Sequence, residues 1–297
     1  MTNKSWSPSE LVVGDDCLRK HEFSYNMRIK PIGLKRAPQL ASGTSVHKSF
    51  ELNSTLWSGQ VPPLDDQLAC GIECLEQEFE SDDDGGVKNV KKFSPGVKRA
   101  VERIPAWMWE ATWHLEEDIT GEFFRVGENF CTDCNCGFCK TKGETLKVHG
   151  RPDMYRVFED EEGTPMVEIV DLKTTDNDPL QFLLWSPQLR MYAAMLRQQY
   201  PDHVIQYRYV CVPTGVSAQV PHCPAFIFTK KSEERTIHEM WDYRDKLVRD
   251  KDQMRPRFNR SCTWCDYSPI CTADILGGDM LSVIAEMFEP KGERYDG

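Results

Sequence analysis

Residues 150–175 constrain the fold of this chain most, because they place two carboxylates and a lysine where a β-sheet would bring them together. Asp153 precedes one strand, residues 160–163 read as a hairpin turn, and the next strand ends in Asp171 and Lys173. Side chains two apart on a strand share a face. This group can hold a hard divalent cation and a phosphate. An exposed Asp/Lys pair on a hairpin is the alternative that these residues alone leave open.

Composition is that of an ordinary soluble protein. Of 297 residues, 40% are hydrophobic and 28% are charged, which is typical of a folded globular chain. The sequence has no run of eighteen apolar residues, and its first sixteen residues lack the apolar core of a signal peptide. We therefore expect neither membrane insertion nor secretion, and a cytoplasmic location.

The formal net charge of −11 argues against a surface built for nucleic acid, since phosphate binding relies on lysine and arginine. That objection concerns the whole surface and not one site. Residues 88–103 concentrate six basic residues against one acidic residue. They are either a phosphate-contacting patch or, as such runs more often are, a solvated face.

Hydrophobic periodicity predicts a mixed α/β protein. Helices are predicted from Ser7, which has Glu10 three residues later as in a capping box, and over 41–57, 64–80, 95–117, 187–200 and 231–254. Strands are predicted over 119–130, 145–158, 166–173, 204–212 and 225–229, and the acidic run 81–86 is predicted to be a loop. The hairpins exclude a purely parallel, doubly wound sheet.

Twelve cysteines suggest metal binding, because in a reducing compartment they are thiols or ligands and not disulfides. The spacing Cys262-x2-Cys265-x5-Cys271 presents thiolates as metal sites do, but it is one ligand short of a closed site. Residue chemistry alone favours zinc over an iron–sulfur cluster here. The fourth ligand must come from elsewhere in the chain.

A second group, Cys131, Cys134, Cys136 and Cys139, supplies four thiolates within a small polar loop. A tetrahedral zinc ion would staple such a hairpin tip, residues 131–139, which has no core of its own. The single residue between Cys134 and Cys136 leaves open that one of the four does not bind, and non-ligating thiols are the alternative.

Six motifs then occur in the order found in the RecB-like branch of the PD-(D/E)XK nuclease superfamily. They are SPSELVVGDDCLRKHEFSY (7–25), GTSVHKSFE (43–51), GRPDMY (150–155), VDLKTT (170–175), QLRMY (188–192) and the closing C-x2-C-x5-C. The chain resembles in particular the iron–sulfur members, the AddB nuclease domain and the RecB-like exonucleases of CRISPR adaptation. The family's opening motif has proline after its cysteine, where this chain has Leu18 or Arg19.

The resemblance implies a restriction-endonuclease-like mixed sheet flanked by helices, in a single domain over 1–297 with a helical insertion at 60–118. It implies Mg²⁺ or Mn²⁺ bound by His47, Asp153, Asp171 and the carbonyl of Leu172. Lys173 would be the catalytic lysine, orienting or deprotonating a water or stabilising charge on phosphorus. Gln188 and Tyr192 would position Lys173 or the nucleic-acid backbone. Glu51, four residues after His47, is either a residue just outside the direct ligands or an exposed glutamate without a role in the site.

The resemblance also supplies the missing cysteine. Cys17 would join Cys262, Cys265 and Cys271 around a structural 4Fe-4S cluster that clamps residue 17 to the segment 262–271. The Cys131 group is not part of the family pattern and is interpreted as a cysteine-rich hairpin insertion that binds Zn²⁺.

The predicted function is a metal-dependent DNA nuclease, an exonuclease acting on single strands or duplex ends. One alternative is a non-catalytic nucleic-acid or partner-binding module that keeps the nuclease fold, and another is a purely structural zinc protein. The sequence shows no helicase-like segment, which favours phage DNA metabolism or CRISPR adaptation over a RecBCD-type machine, by analogy only.

Overall fold

The computed structural model describes residues 4–32, 38–79, 83–126, 129–130, 144–174, 187–216, 224–249, 262–263 and 265–291. They group into two compact units. The sheet unit comprises residues 36–121 and 149–233, and the terminal unit comprises 1–35, 122–148 and 234–297. The sequence predicted a single domain over 1–297 with a helical insertion at 60–118, and both statements stay predictions.

The helices, in chain order, are α1 (Pro8–Asp16), α2 (Leu18–His21), α3 (Pro38–Trp57), α4 (Leu64–Phe79), α5 (Asp83–Glu102), α6 (Ala106–Trp109), α7 (Gln188–Gln199), α8 (Lys230–Arg249), α9 (Ser268–Ile275) and α10 (Met280–Met287), and a π-helical turn covers Glu22–Asn26. The strands are β1 (Ser5–Trp6), β2 (Ile29–Pro31), β3 (His114–Leu115), β4 (Ile119–Val126), β5 (Asn129–Phe130), β6 (Thr145–Gly150), β7 (Met154–Glu159), β8 (Pro165–Lys173), β9 (Val204–Cys211), β10 (Phe226–Ile227) and β11 (Phe288–Pro290). Within the described ranges, no helix is both long enough and apolar enough to cross a bilayer.

The sheet unit is built on a five-stranded mixed sheet in the order β10-β9-β8-β7-β3. Strand β8 is central: it is antiparallel to β7 and parallel to β9, in register from Met166 opposite Val204 to Lys173 opposite Cys211. All residues of β8 between its two ends are buried, as expected of a strand covered on both faces. The mixed α/β fold predicted from the sequence is confirmed.

Helices α3, α4 and α5 pack together over one face of this sheet. Their apolar stripes meet strand residues such as Val170 and Leu172 in one buried cluster. Phe50 of α3 lies against Trp109 at a ring-centroid distance of 4.7 Å. This packing fixes α3 over the end of β8.

Four local predictions were wrong. The strand predicted over 119–130 is two antiparallel strands, β4 and β5, with Val126 opposite Asn129. The strand predicted over 145–158 is two strands, β6 and β7, because Arg151, Pro152 and Asp153 interrupt it. The predicted loop 81–86 overlaps the first residues of α5, and the helix predicted over 95–117 ends at Glu102 and is followed by the separate α6 and β3.

The terminal unit joins residues from both ends of the sequence. It contains a four-stranded sheet in the order β1-β6-β4-β5 and the antiparallel pair β2-β11. Its buried cluster consists of Phe23, Ile29, Tyr267, Ile270 and Phe288. The Tyr267 hydroxyl accepts a hydrogen bond from Ser24 at 2.9 Å and donates one to the carbonyl of Ile29 at 2.9 Å.

Candidate active site

The ends of two neighbouring strands bring together the residues of the Gly-x-x-Asp and Asp-x-Lys patterns. Asp153 stands just before β7, and Asp171 and Lys173 end β8. Asp153 Oδ2 accepts a hydrogen bond from the backbone N–H of Leu172 at 3.2 Å, and Lys173 Nζ lies 2.6 Å from Asp171 Oδ1. The predicted sharing of one face by Asp171 and Lys173 is therefore confirmed.

Helix α3 brings His47 to the same place. Its Nδ1 lies 3.5 Å from Asp153 Oδ2, and the imidazole hydrogen-bonds with the backbone of Leu172. Gly43, one helical turn earlier, permits this approach, because a Cβ there would lie 2.8 Å from Thr174 Oγ1. Gly43 and His47 are four residues apart on α3, and the helix face that they share meets the end of β8.

The protonation of the site follows from burial and like charge. Burial raises the pKa of Asp171 to about 7, and the neighbouring Asp153 adds to the rise while Lys173 opposes it. Burial lowers the pKa of Lys173, but the charges of Asp171 and Asp153 outweigh burial and leave the pKa raised. Burial, helped by the charge of Lys173, lowers the pKa of His47. The site therefore offers an uncharged imidazole beside two acids, which suits a cation.

Gln188 and Tyr192 lie on α7 and connect with each other and with the Asp153 turn. Gln188 Nε2 donates to the Tyr192 hydroxyl at 3.1 Å, and that hydroxyl donates to the carbonyl of Arg151 at 3.2 Å. Arg151 also donates two hydrogen bonds to Asp118, at 3.1 and 3.2 Å. Hydrogen bonds to the backbone carbonyl of Arg151 and from its side chain thus fix the turn before Asp153.

Sequence reasoning missed Glu116. A shallow cavity that opens to solvent is lined by His47, Phe50, Glu51, Leu115, Glu116, Asp153 and Met154. Glu51 was identified from its helical spacing, but the run Glu116-Glu117-Asp118 gives no sign of which carboxylate faces inward. Only the backbone conformation of Glu116, whose φ is +46°, separates it from its neighbours.

The terminal unit brings the four predicted cluster cysteines near one another. Burial raises the pKa of the Cys271 thiol, and the charges of Cys17, Cys265 and Cys262 raise it further. Burial likewise raises the pKa of Cys265, with Cys17 and Cys262 adding to the rise. These shifts show that Cys17 and Cys262 lie close enough to Cys265 and Cys271 to affect them.

In the conformation that the structure gives, however, no group of three or more His, Cys, Asp or Glu side chains of the described ranges is placed to hold a single metal ion. This holds for the thiols of the terminal unit and for the acids of the sheet unit alike. The Cys131, Cys134, Cys136 and Cys139 group lies outside the described residues.

Comparison with known proteins identifies the family. The family model of the PD-(D/E)XK nuclease superfamily matches residues 5–272. A solved structure described as SSO0001 is 16% identical, covers 92% of this chain and 88% of its own, and gives a TM-score of 0.37. A protein from Eubacterium rectale, provisionally described as an exonuclease, is 13% identical, covers 93% and 94% of the two chains, and gives a TM-score of 0.48.

No curated protein matches the sequence at a significant level. The family match rests on nearly the whole chain, from residue 5 to residue 272, and includes every motif assembled at the end of β8. This chain belongs to the PD-(D/E)XK nuclease superfamily.

Proposed function

We propose that this chain is a metal-dependent deoxyribonuclease that hydrolyses phosphodiester bonds as an exonuclease, on single strands or duplex ends. The observation that carries the proposal is the convergence of His47, Asp153, Asp171 and Lys173 on the backbone of Leu172. If Asp171 and Lys173 formed only a surface ion pair, Asp171 would be exposed, but it is only 8% exposed. Nor would such a pair require helix α3 to lie against it.

His47, Asp153, Asp171 and the carbonyl of Leu172 would hold Mg²⁺ or Mn²⁺. When bound, such a cation lowers the pKa of a water molecule and neutralises the scissile phosphate. The hydrogen bonds of the Leu172 backbone to Asp153 and His47 orient both side chains before any ligand binds. Asp171, with a pKa of about 7, must give up its proton on binding a cation.

Lys173 acts as a positive charge in this proposal. Its pKa is raised by Asp171 and Asp153, so it stays protonated at neutral pH. A protonated ammonium cannot remove a proton from water, but it can orient one and stabilise charge that develops on phosphorus. Lys173 is 41% exposed in its side chain and is therefore accessible to a phosphate.

Gln188 and Tyr192 are proposed to act on the Asp153 turn. The hydroxyl of Tyr192 contacts the carbonyl of Arg151, two residues before Asp153. The predicted role of this pair beside Lys173 or the nucleic-acid backbone stays a prediction.

DNA is the proposed partner despite the negative net charge. On α5, Lys88, Lys91, Lys92 and Lys98 are exposed. Arg99 of the same helix and Arg103, which directly follows it, instead donate hydrogen bonds to backbone carbonyls of the 213–215 loop, at 2.6 to 2.8 Å. The four lysines are the part of this basic run that can meet phosphates.

The 4Fe-4S cluster is a separate proposal, with Cys17, Cys262, Cys265 and Cys271 as ligands and a structural role. The mutual effect of these thiols on the pKa values of Cys265 and Cys271 supports it. Iron and sulfide should be found in anaerobically purified protein, with broad visible absorption that is lost in Cys17→Ser. A colourless protein containing zinc alone would refute the cluster.

Zinc at Cys131, Cys134, Cys136 and Cys139 is supported by spacing alone. Cys131→Ser with Cys134→Ser should remove one zinc per chain by elemental analysis and leave the iron content unchanged.

Thiols used as ligands also favour a reducing compartment, so we propose a cytoplasmic location.

Asp171→Asn tests the proposed nuclease. Loss of the buried carboxylate should lower the rate of cleavage of labelled DNA with Mn²⁺ by about 1000-fold, or ~4 kcal/mol. Asp242→Asn is the control, because it removes one negative charge from an exposed residue of α8. Cleavage unchanged in Asp171→Asn would refute the catalytic assignment.

The form of the DNA substrate tests whether the protein is an exonuclease. An exonuclease degrades linear single strands or duplexes from their ends and leaves covalently closed circles intact. Cutting of closed circles would show an endonuclease, and DNA binding without cleavage by the wild-type chain would favour the non-catalytic alternative.

A further inference from the structure

The backbone between β3 and β4 breaks the strand pattern at Glu116. The N–H of Glu116 donates to the carbonyl of Asp153 at 3.1 Å, which extends the β3–β7 pairing beyond the rung formed by Leu115 and Met154. At this point Glu116 takes a φ of +46°, in the left-handed region. One class of β-bulge contains a single left-handed residue, and bulges redirect side chains and are common next to active sites.

The break exchanges the faces on which two neighbouring glutamates lie. Regular alternation would place Glu116 on the face of His114 and Glu117 on the face of Leu115. Instead Glu117 lies 2.9 Å from His114 Nδ1 and accepts a hydrogen bond from the Tyr155 hydroxyl at 3.0 Å. Glu116 shares the cavity with Leu115 and with His47 and Asp153.

Glu116 lines the same cavity as His47 and Asp153. The residue is also exposed to solvent. A glycine would adopt this backbone conformation without steric cost, yet the chain has a charged residue there.

We propose that Glu116 is a further residue of the active site, whose carboxylate helps to retain the divalent cation held by His47, Asp153 and Asp171. This inference rests on the proposed nuclease function and deepens it. Glu116 adds negative charge and hydrogen-bond acceptors on the open side of the cavity, outside the direct ligands. In other proteins, residues that surround the direct ligands change the affinity for the metal by about 10- to 100-fold.

The test measures Mn²⁺ binding to the full-length protein without DNA, by isothermal titration calorimetry. Glu116→Gln keeps the size of the side chain and removes its charge, so the dissociation constant should rise about tenfold. Glu117→Gln is the matched control: it makes the same change one residue away, on the opposite face, and should bind Mn²⁺ like the wild type. The midpoint of thermal unfolding without metal should be the same for Glu116→Gln and the wild type.

Two results would overturn the inference. Either Glu116→Gln binds Mn²⁺ as tightly as the wild type, or Glu117→Gln weakens binding equally, which would show only an effect of net charge. If Glu116→Gln folds poorly, Glu116→Gly provides the same test, because glycine accepts the left-handed backbone. It should also weaken Mn²⁺ binding.

Asp171→Asn separates this inference from the function on which it rests. It should abolish both Mn²⁺ binding and DNA cleavage. If it leaves both unchanged, the proposed nuclease site fails and Glu116 fails with it. If Asp171→Asn behaves as expected and Glu116→Gln binds normally, the nuclease site stands and only the role of Glu116 is refuted.

Discussion

The Tyr192 hydroxyl of α7 donates a hydrogen bond to the carbonyl of Arg151 in the turn before Asp153. Tyr192→Phe removes this hydrogen bond, and also the one that the hydroxyl accepts from Gln188, in a side chain that is 7% exposed. We expect a loss of about 1 kcal/mol in the free energy of unfolding. Because the turn carries a proposed cation ligand, we also expect cleavage to slow by about tenfold.

Tyr155→Phe is the matched control for Tyr192→Phe. Its hydroxyl donates to Glu117 on the other side of the β3–β7 pair, so its loss should cost similar stability. Cleavage should stay at the wild-type rate. Equal slowing in both variants, measured on the same labelled DNA, would mean that general loosening of the sheet explains the effect of Tyr192.

Strand spacing was sufficient to pair Asp171 with Lys173, because a strand alternates its faces regularly. Helical spacing was sufficient to place His47 and Glu51 on one face, and both residues line the cavity. The inward position of Glu116 was not predictable, since it depends on one left-handed residue that breaks alternation. Glu10 shows the same limit: Ser7 caps α1 as predicted, but the Glu10 carboxylate bonds with Lys4 and His21.

Contact between α3 and the end of β8 depends on Gly43. Gly43→Ala adds a methyl group that would meet Thr174 Oγ1 at 2.8 Å, so α3 must shift by a few tenths of an ångström. Helix propensity offsets the crowding by about 1 kcal/mol, so stability should change little. Cleavage should fall by about tenfold, because His47 moves with the helix.

The Thr174→Ala background tests whether that contact is the cause. Removing Oγ1 makes room for the new methyl group, so Gly43→Ala should cost no activity when it is added to Thr174→Ala. This double-mutant cycle isolates the contact. An equal loss in both backgrounds would show that Gly43 acts in another way.

Helix α5 shows why the boundaries of elements were harder to predict than the residues of the site. It begins at Asp83 inside an acidic, glycine-containing run and continues past Pro95. Both features are typical of loops. Its buried residues Val97, Ala100 and Val101 pack with α3 and α4, and this tertiary contact outweighs the local sequence signals.

At the scale of the whole molecule, the two ends of the sequence are joined by contacts that need no cation. The pairing of β2 with β11, the hydrogen bonds of Tyr267 and the ion pair between Arg19 and Asp274 all lie in the terminal unit. The proposed cluster therefore adds to a clamp that the polypeptide already makes. Loss of iron should accordingly weaken the terminal unit without unfolding it.

Acid stability depends on a buried carboxylate of the terminal unit. Glu10 is 2% exposed and bonds with Lys4 at 2.6 Å and with His21 at 3.0 Å. Burial raises its pKa, but the hydrogen bonds and charges of these two partners outweigh burial and leave the pKa below the ordinary 4.5. The stabilisation is therefore complete above about pH 4.5 and is lost as the pH falls through the lowered pKa.

Glu10→Gln should thus lower the free energy of unfolding by about 2 kcal/mol at pH 7, since it removes a charged acceptor of two hydrogen bonds. The difference from the wild type should shrink below pH 4.5, where the wild-type carboxylate takes up its proton. Glu289→Gln is the control: its pair with Lys30 is about half exposed, so removing it should change stability by less than about 1 kcal/mol at any pH. Denaturant unfolding of the three proteins between pH 3 and pH 7 measures both effects, and a difference between Glu10→Gln and the wild type that does not vary with pH would show that Glu10 stabilises the unit by packing and not by charge.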